Sequence, residues 1–158
     1  MYRVIIEYIS LFLTGILAGE EFVVRYGVRG PLAALEDRSH IQLRQGLIRT
    51  LRVLVPAVFL PAFGSTIAVA VVDGTGAGTG TGFAFRWAGV LALAVWFLVT
   101  VFGTVPINER AYEWQLDAPP SDWKAVVERW ERLNTVRTWS AVLAFALLLT
   151  ASALQQRY

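Results

Sequence analysis

The sequence has no cysteine, and its 158 residues include a single histidine and a single methionine. The lack of cysteine excludes a disulfide framework, a thiolate metal site and a cysteine nucleophile. Charged residues are also scarce, at 16% against about 25% in soluble domains. The hydrophobic fraction of 56%, gathered in long blocks, instead indicates a protein of the lipid bilayer.

Four apolar blocks can each supply the about 20 residues that cross a hydrocarbon core. We place the spans at about residues 4–24, 51–72, 85–105 and 136–154. They predict an all-α fold, an integral membrane four-helix bundle that forms a single transmembrane domain over residues 1–158. Pro56 and Pro61 predict a kink in the second span, because each removes a backbone donor and crowds the preceding turn.

Positive charge is distributed unequally between the two sides of this topology. The loops after spans one and three, with the adjoining span ends, hold 11 of the 14 basic residues, and the other side holds Arg3, Arg86 and Arg157. The positive-inside tendency therefore predicts both termini outside and the two long loops in the cytoplasm, in a bacterial plasma membrane. Positive flanks also explain the net charge of +2, so we expect no nucleic-acid partner. The glycine-rich loop 73–82 is predicted to be a flexible connector.

Two adjacent carboxylates, Glu20 and Glu21, lie near the end of the first span between apolar residues. A carboxylate at membrane depth is costly unless it is paired, protonated or facing water. Consecutive helical residues point about 100° apart, so we expect one carboxylate to face the bundle interior and the other to reach the interface. Pairing of both with neighbouring arginines is the structural alternative. His40 with Glu20 or Glu21 could hold a transition metal such as iron or copper, or act as a general base, and the sequence leaves the cofactor open.

Helical spacing brings further polar residues together. Glu36, His40 and Arg44 share one face if residues 32–45 form a helix. A long helix that begins after Ser121 and enters the fourth span would place six residues on one face: Trp123, Val127, Trp130, Asn134, Arg137 and Ala141. An interfacial tryptophan belt with a snorkelling arginine is the alternative interpretation. Asn134 and Arg137, however, need polar partners at their depth.

Three motifs occur in order along the chain, namely Thr14–Gly19, Thr104–Asn108 and Trp130–Thr138. Together they resemble the anthrone oxygenase-like family of small four-helix membrane proteins. The resemblance implies a polar pocket that opens at one membrane face and, for characterised relatives, oxygenation of an electron-rich anthrone to a quinone. It implies site roles for four residues: Asn108, Trp130, Asn134 and Arg137. Glu20, Glu21 and the basic segment 40–52 depart from the commoner pattern and leave the substrate open.

Two classes of function are favoured, and transport comes third, because four spans would need to oligomerise to form a pathway. The first is a membrane oxidoreductase that oxidises a hydrophobic aromatic or quinol-like molecule, with a base that removes a proton and an arginine that stabilises the resulting anion. Its candidate catalytic residues are Glu20, Glu21, His40 and Arg137, and its candidate substrate contacts are Asn108, Trp123, Trp130, Asn134 and Arg44. The second is a non-catalytic subunit that binds lipid, quinone or a partner membrane protein. Homo-oligomerisation is compatible with both classes.

Overall fold

The computed structural model describes residues 2–75 and 80–155. Its α-helices are α1 (Tyr2–Val23), α2 (Arg29–Ala33), α3 (Asp37–Thr75), α4 (Thr81–Val99), α5 (Val105–Tyr112) and α6 (Trp123–Gln155). No strand occurs within these described ranges. Of the predicted flexible connector 73–82, residues 73–75 belong to α3 and residues 81 and 82 to α4, and residues 76–79 lie outside the described part of the chain.

Four helical stretches are long and apolar enough to cross a membrane: Tyr2–Ala33, Asp37–Gly74, Thr81–Tyr112 and Trp123–Gln155. Each predicted span lies inside one of them, which confirms the all-α four-helix membrane bundle. The chain is therefore an integral membrane protein. The fourth stretch is one continuous helix, α6, that begins at Trp123, so the predicted long helix entering the fourth span is also confirmed.

The bundle interior is a cluster of apolar side chains from all four spans, centred on Leu17, Phe59, Leu93 and Ala144. The helices α4 and α6 approach closely at Gly89, where a Cβ atom would lie 2.9 Å from Leu148 Cδ2. Large apolar side chains also cover the outside of the bundle, as expected for helices whose solvent is lipid. Packing of small and apolar residues thus holds the central part of the spans together.

Two π-helical segments interrupt the spans. Val24–Val28 joins α1 to α2, and Thr100–Thr104 joins α4 to α5. Each is followed within three residues by a proline, Pro31 or Pro106. A proline lacks the amide donor and crowds the carbonyl four residues earlier, which in both cases lies inside the π-helical segment. The prolines therefore explain why the backbone leaves regular α geometry at these two places.

Two predictions about α3 and its surroundings need comment. The helix predicted over residues 32–45 is wrong, because residues 34–36 separate α2 from α3. Glu36 consequently precedes α3 and accepts a hydrogen bond from Ser39 Oγ at 3.1 Å, whereas His40 and Arg44 are both buried within the helix. The prolines at positions 56 and 61 lie inside the continuous α3, and the kink there stays a prediction.

Candidate functional site

A cavity of about 640 Å³ lies at one end of the bundle, which we call the cavity end. Both π-helical segments, the first half of α3, α5 and the start of α6 contribute to its wall. The wall is mainly apolar, and its polar members include Glu20, Glu21, Arg25, Arg44, Thr104, Asn108, Trp130, Asn134 and Arg137. A cavity of roughly 300–1,000 Å³ with an apolar wall and few polar groups is the usual form of a small-molecule site.

A buried ion pair between the first and fourth spans forms the inner end of this cavity. Arg137 Nη2 donates to Glu21 Oε1, and Trp96 Nε1 donates to the same oxygen at 2.9 Å. Arg137 also approaches Thr104 Oγ1 at 3.4 Å through Nη1, and its guanidinium lies 4.8 Å from the centre of the Trp96 ring. Glu21 is 1% exposed. These contacts hold Arg137 in one orientation at the cavity wall.

The two adjacent carboxylates differ as predicted. Glu21 is fully buried and paired, whereas Glu20 is half-buried and lines the cavity. Glu20 Oε2 is buried and has no hydrogen-bond partner among the described residues. Pairing with an arginine, the alternative considered for both carboxylates, therefore applies to Glu21 and not to Glu20. Glu20 presents a carboxylate oxygen that is available to a bound molecule.

Other polar atoms on the cavity wall are also buried without a hydrogen-bond partner in the described ranges. They comprise Arg25 Nε, Arg44 Nε, Asn108 Oδ1, Trp130 Nε1 and Arg137 Nε. A buried polar group without a partner costs about 1–3 kcal/mol, so such groups collect where a ligand or water completes them. These unpartnered atoms offer four N–H donors, and two acceptors in Asn108 Oδ1 and Glu20 Oε2, to a molecule in the cavity.

The structure places His40 and Trp123 away from this wall, which corrects the prediction that they share the pocket. The His40 ring lies edge-on to Trp123 with 5.1 Å between ring centres, and neither residue lines the cavity. Trp123 instead packs in a second apolar cluster with Ile41, Trp114 and Val127. The helical face that begins at Trp123 is buried as predicted, but its first two turns contact protein and only its later part reaches the cavity.

The predicted metal ligands do not form a metal-binding group. Across residues 2–75 and 80–155, no three or more histidine, aspartate or glutamate side chains are placed to hold one ion. Glu20 and Glu21 line the cavity, and His40 does not. Because one of these two carboxylates is also held by an arginine, the residues do not fit a resident transition metal.

Sequence reasoning missed three residues that shape the site. Trp96 and Thr104 contact the buried ion pair, and Phe59 stacks on Trp96 with ring centres 4.4 Å apart. Trp96 and Phe59 lie in uniformly apolar spans, where nothing in the local pattern distinguishes them. Thr104 belongs to the motif Thr104–Asn108 at the end of the third span, and this motif could have indicated Thr104 as a site residue.

A second polar cluster, which we call the closed end, lies at the opposite end of the bundle. Arg86 contacts Asp73 Oδ2 at 2.8 Å, Glu7 Oε1 at 3.0 Å and Gln155 Oε1 at 2.7 Å. Arg3 Nε contacts Asp73 Oδ1 at 2.6 Å. The cluster joins all four spans, so polar residues gather at both ends of the bundle. The signal was present in the sequence, because Glu7 and Arg86 are charged residues within apolar blocks.

The family model of anthrone oxygenases matches residues 47–147 of the chain. The matched region contains Asn108, Trp130, Asn134 and Arg137, whereas Glu20, Glu21 and Arg44 lie before it. No curated protein and no solved structure gives a significant match. The match extends over more than half of a chain that folds as a four-helix membrane bundle, and the chain belongs to the anthrone oxygenase family.

Proposed function

We propose that the protein is a membrane-embedded oxidoreductase of the anthrone oxygenase type, which oxidises a hydrophobic aromatic or quinol-like molecule in the cavity. The observation that carries the proposal is the unpaired carboxylate oxygen of Glu20 on an apolar wall that also presents unpaired N–H donors. Family membership supports oxygen chemistry. A polar-walled cavity in an apolar bundle suits a planar substrate that partitions into the bilayer.

In the proposed reaction, Glu20 removes a proton from a ring methylene of an anthrone. The electron pair of that C–H bond moves into the ring system and onto the carbonyl oxygen, which becomes an enolate. Arg137, whose orientation the Glu21 pair holds, and the neighbouring Asn134 would stabilise this oxygen. Asn108 and Trp130 would complete the substrate contacts.

The oxidant is dioxygen, which the proposal names as the second substrate. The carbanion carbon forms a C–O bond with dioxygen, and the reduced oxygen takes up a proton to give a hydroperoxide. Loss of the second methylene proton then breaks the O–O bond and forms a carbonyl group, with release of water. The sum is one anthrone and one dioxygen converted to one quinone and one water, and no resident cofactor enters these steps.

In this proposal Glu21 is a positioning residue and Glu20 is the base. The Glu21 carboxylate already accepts hydrogen bonds from Arg137 and Trp96, so its oxygen is less available to take a proton. Glu20 makes no such bond through Oε2. His40, which the sequence suggested as another base, contacts Trp123 and lies off the cavity wall.

The test is oxygen uptake and quinone absorbance with a panel of anthrones, using the purified protein in lipid nanodiscs. Glu20→Gln should lower the rate by at least about a hundredfold, since a positioned general base contributes roughly 10²–10⁴-fold. Glu128→Gln is the matched control, because Glu128 is exposed on α6 and does not line the cavity. A Glu20→Gln variant with the parent rate would refute the assignment of the base. A parent that binds anthrones but consumes no oxygen would instead favour the non-catalytic alternative.

We also propose that the cavity end faces the cytoplasm of a bacterial cell, with both termini outside. The natural absence of cysteine allows single-cysteine variants to be labelled without background. Thr81→Cys, at the exposed start of α4, should react with a membrane-impermeant maleimide in intact cells. Asp117→Cys, exposed in the loop before α6, should react only after permeabilisation. The reverse labelling pattern would overturn the orientation.

A further inference from the structure

Arg44 is a buried charge without an ionic partner. It is 5% exposed, lines the cavity and has no hydrogen-bond partner for Nε. Its guanidinium carbon lies 4.9 Å from the centre of the Trp130 ring. The acidic side chain that interacts with it electrostatically is Glu131, whose carboxylate accepts a hydrogen bond from Arg29 Nε at 2.5 Å. The neighbouring carboxylate is therefore already engaged by another arginine.

The other buried arginines in the described ranges are arranged differently. Arg86 contacts Asp73 and Glu7, and Arg137 contacts Glu21. A guanidinium taken out of water is costly unless an anion and hydrogen bonds compensate it. Arg44 has no carboxylate within ion-pair distance in the part of the chain that the structure describes. Its position on a cavity wall indicates that a ligand supplies the missing anion.

The surroundings of Arg44 narrow the chemistry of that anion. Trp130 Nε1 is a second buried donor on the same wall without a partner. The cation–π contact with the Trp130 ring restrains the guanidinium, whose planar fork suits a carboxylate. Farther along, the wall is apolar and includes Phe59, Phe97 and Val101. The cavity thus combines a site for an oxyanion with a compartment for rings.

We propose that Arg44 and the indole N–H of Trp130 form an oxyanion subsite, and that the substrate is a polycyclic aromatic acid whose carboxylate binds there. The rings of this acid lie in the apolar part of the cavity. The inference rests on the proposed function, because it names the substrate class of the same cavity. It makes Arg44 a substrate-binding residue that determines specificity, in contrast to Arg137, which stabilises the reacting oxygen.

The test compares binding of anthracene-2-carboxylate with binding of its methyl ester, by ligand fluorescence in nanodiscs of phosphatidylcholine. Neither probe has a ring methylene, so binding is read without turnover. Arg44→Gln should lower the ratio of acid to ester affinity by at least about tenfold, since it removes a charge-assisted hydrogen bond. Arg49→Gln is the matched control, because this arginine is exposed on the same helix and does not line the cavity. It should keep the parent ratio.

Further variants keep the proposal testable if Arg44→Gln does not fold. Trp130→Phe retains the ring and removes the indole donor, so it should weaken the acid and leave the ester unaffected. Arg44→Lys retains the positive charge and should keep part of the preference for the acid. An acid-to-ester ratio that is the same in the parent and in all three variants would overturn the subsite.

Two further results distinguish the possible explanations. The first shows whether the bound anion is the substrate or a lipid headgroup, and the second shows whether the subsite or the proposed function has failed. Displacement of the acid by phosphatidylglycerol, but not by more phosphatidylcholine, would overturn the assignment to the substrate, because the site would then hold a lipid headgroup. Selective acid binding without any anthrone oxidation would contradict the proposed function and support the subsite. Oxidation of neutral anthrones without a preference for acids would contradict the subsite alone.

Discussion

The two ends of the bundle carry similar side chains and use them differently. At the closed end, Arg86 contacts Asp73, Glu7 and Gln155, and these residues join all four spans. At the cavity end, the Glu21–Arg137 pair is equally buried, but it adjoins a cavity of about 640 Å³ whose wall contains several unpartnered polar atoms. Both clusters are charged groups at the ends of membrane helices, and in the described part of the chain the cavity lies against the Glu21–Arg137 pair.

From this difference we infer a structural role for the closed end and a ligand-binding role for the cavity end. A buried cluster whose charges contact one another, as at the closed end, rigidifies its surroundings, whereas a buried charge without an ionic contact is costly unless something completes it. This free-energy cost of unpaired buried groups is expected at a site that binds and releases ligands. In the proposed function, the closed end holds the spans in register, and the cavity end provides the binding surface. Substitutions at the closed end should therefore lower stability and leave ligand affinity unchanged, whereas substitutions at the cavity end should also lower activity.

The largest effect on stability is expected from Arg86→Leu at the closed end. The change leaves the half-buried Glu7 without a cation and the buried Asp73 with Arg3 alone, which should lower the free energy of unfolding by about 3 kcal/mol. Denaturant titration in mixed micelles measures this loss. Arg129→Leu, an exposed arginine on α6, is the control and should change little. A loss of anthracene-2-carboxylate affinity per folded Arg86→Leu molecule would contradict the separation of the two ends.

The second-largest effect on stability, of similar size, is expected from substitutions in the Glu21–Arg137 ion pair at the cavity end. Arg137→Leu alone leaves the Glu21 charge buried and should destabilise the protein by about 3 kcal/mol. The double change Glu21→Leu with Arg137→Leu removes both charges and should regain most of that stability, because a buried pair is often replaceable by apolar residues. Anthrone oxidation should be absent in both variants. A double variant that is stable and still active would show that the pair serves structure alone.

The smallest effect on stability is expected from a hydrogen bond located between the two ends. Ser10 Oγ and Thr66 Oγ1 are 2.7 Å apart and join α1 to α3 in the middle of the membrane. Thr66→Val removes this hydrogen bond at nearly constant volume and should cost about 0.6 kcal/mol, the average for such bonds between membrane helices. The same denaturant titration measures it, with Thr150→Val, exposed on α6, as the control. A loss of several kcal/mol would contradict this expectation and show that polar contacts in the centre of the bundle also contribute strongly to stability.

Several features of the fold and site followed from local patterns. Hydropathy located the spans because each helix must satisfy its own backbone groups in lipid. The buried face of α6 followed from its period, since Asn134 and Arg137 recur at helical spacing with Val127 and Ala141. The different environments of Glu20 and Glu21 followed from the rotation between consecutive helical residues.

Other features depend on contacts between distant parts of the chain. The spacing within each segment did not indicate that Arg137 would contact Glu21, 116 positions earlier, or that Trp96 would donate to the same oxygen. His40 and Arg44 seemed equivalent as residues one turn apart, yet one packs on Trp123 and the other lines the cavity. Their difference depends on which neighbouring helix each side chain meets.

The sequence by itself determined that this chain is a four-span membrane protein and that its fourth span begins in a long helix with a polar face. Those properties depend on the transfer of side chains into lipid and on the period of one helix. Only the tertiary structure decided that the charges of one polar cluster contact one another and that the other cluster adjoins a cavity. That outcome depends on how four helices place charges and empty volume relative to one another, and no single segment encodes it.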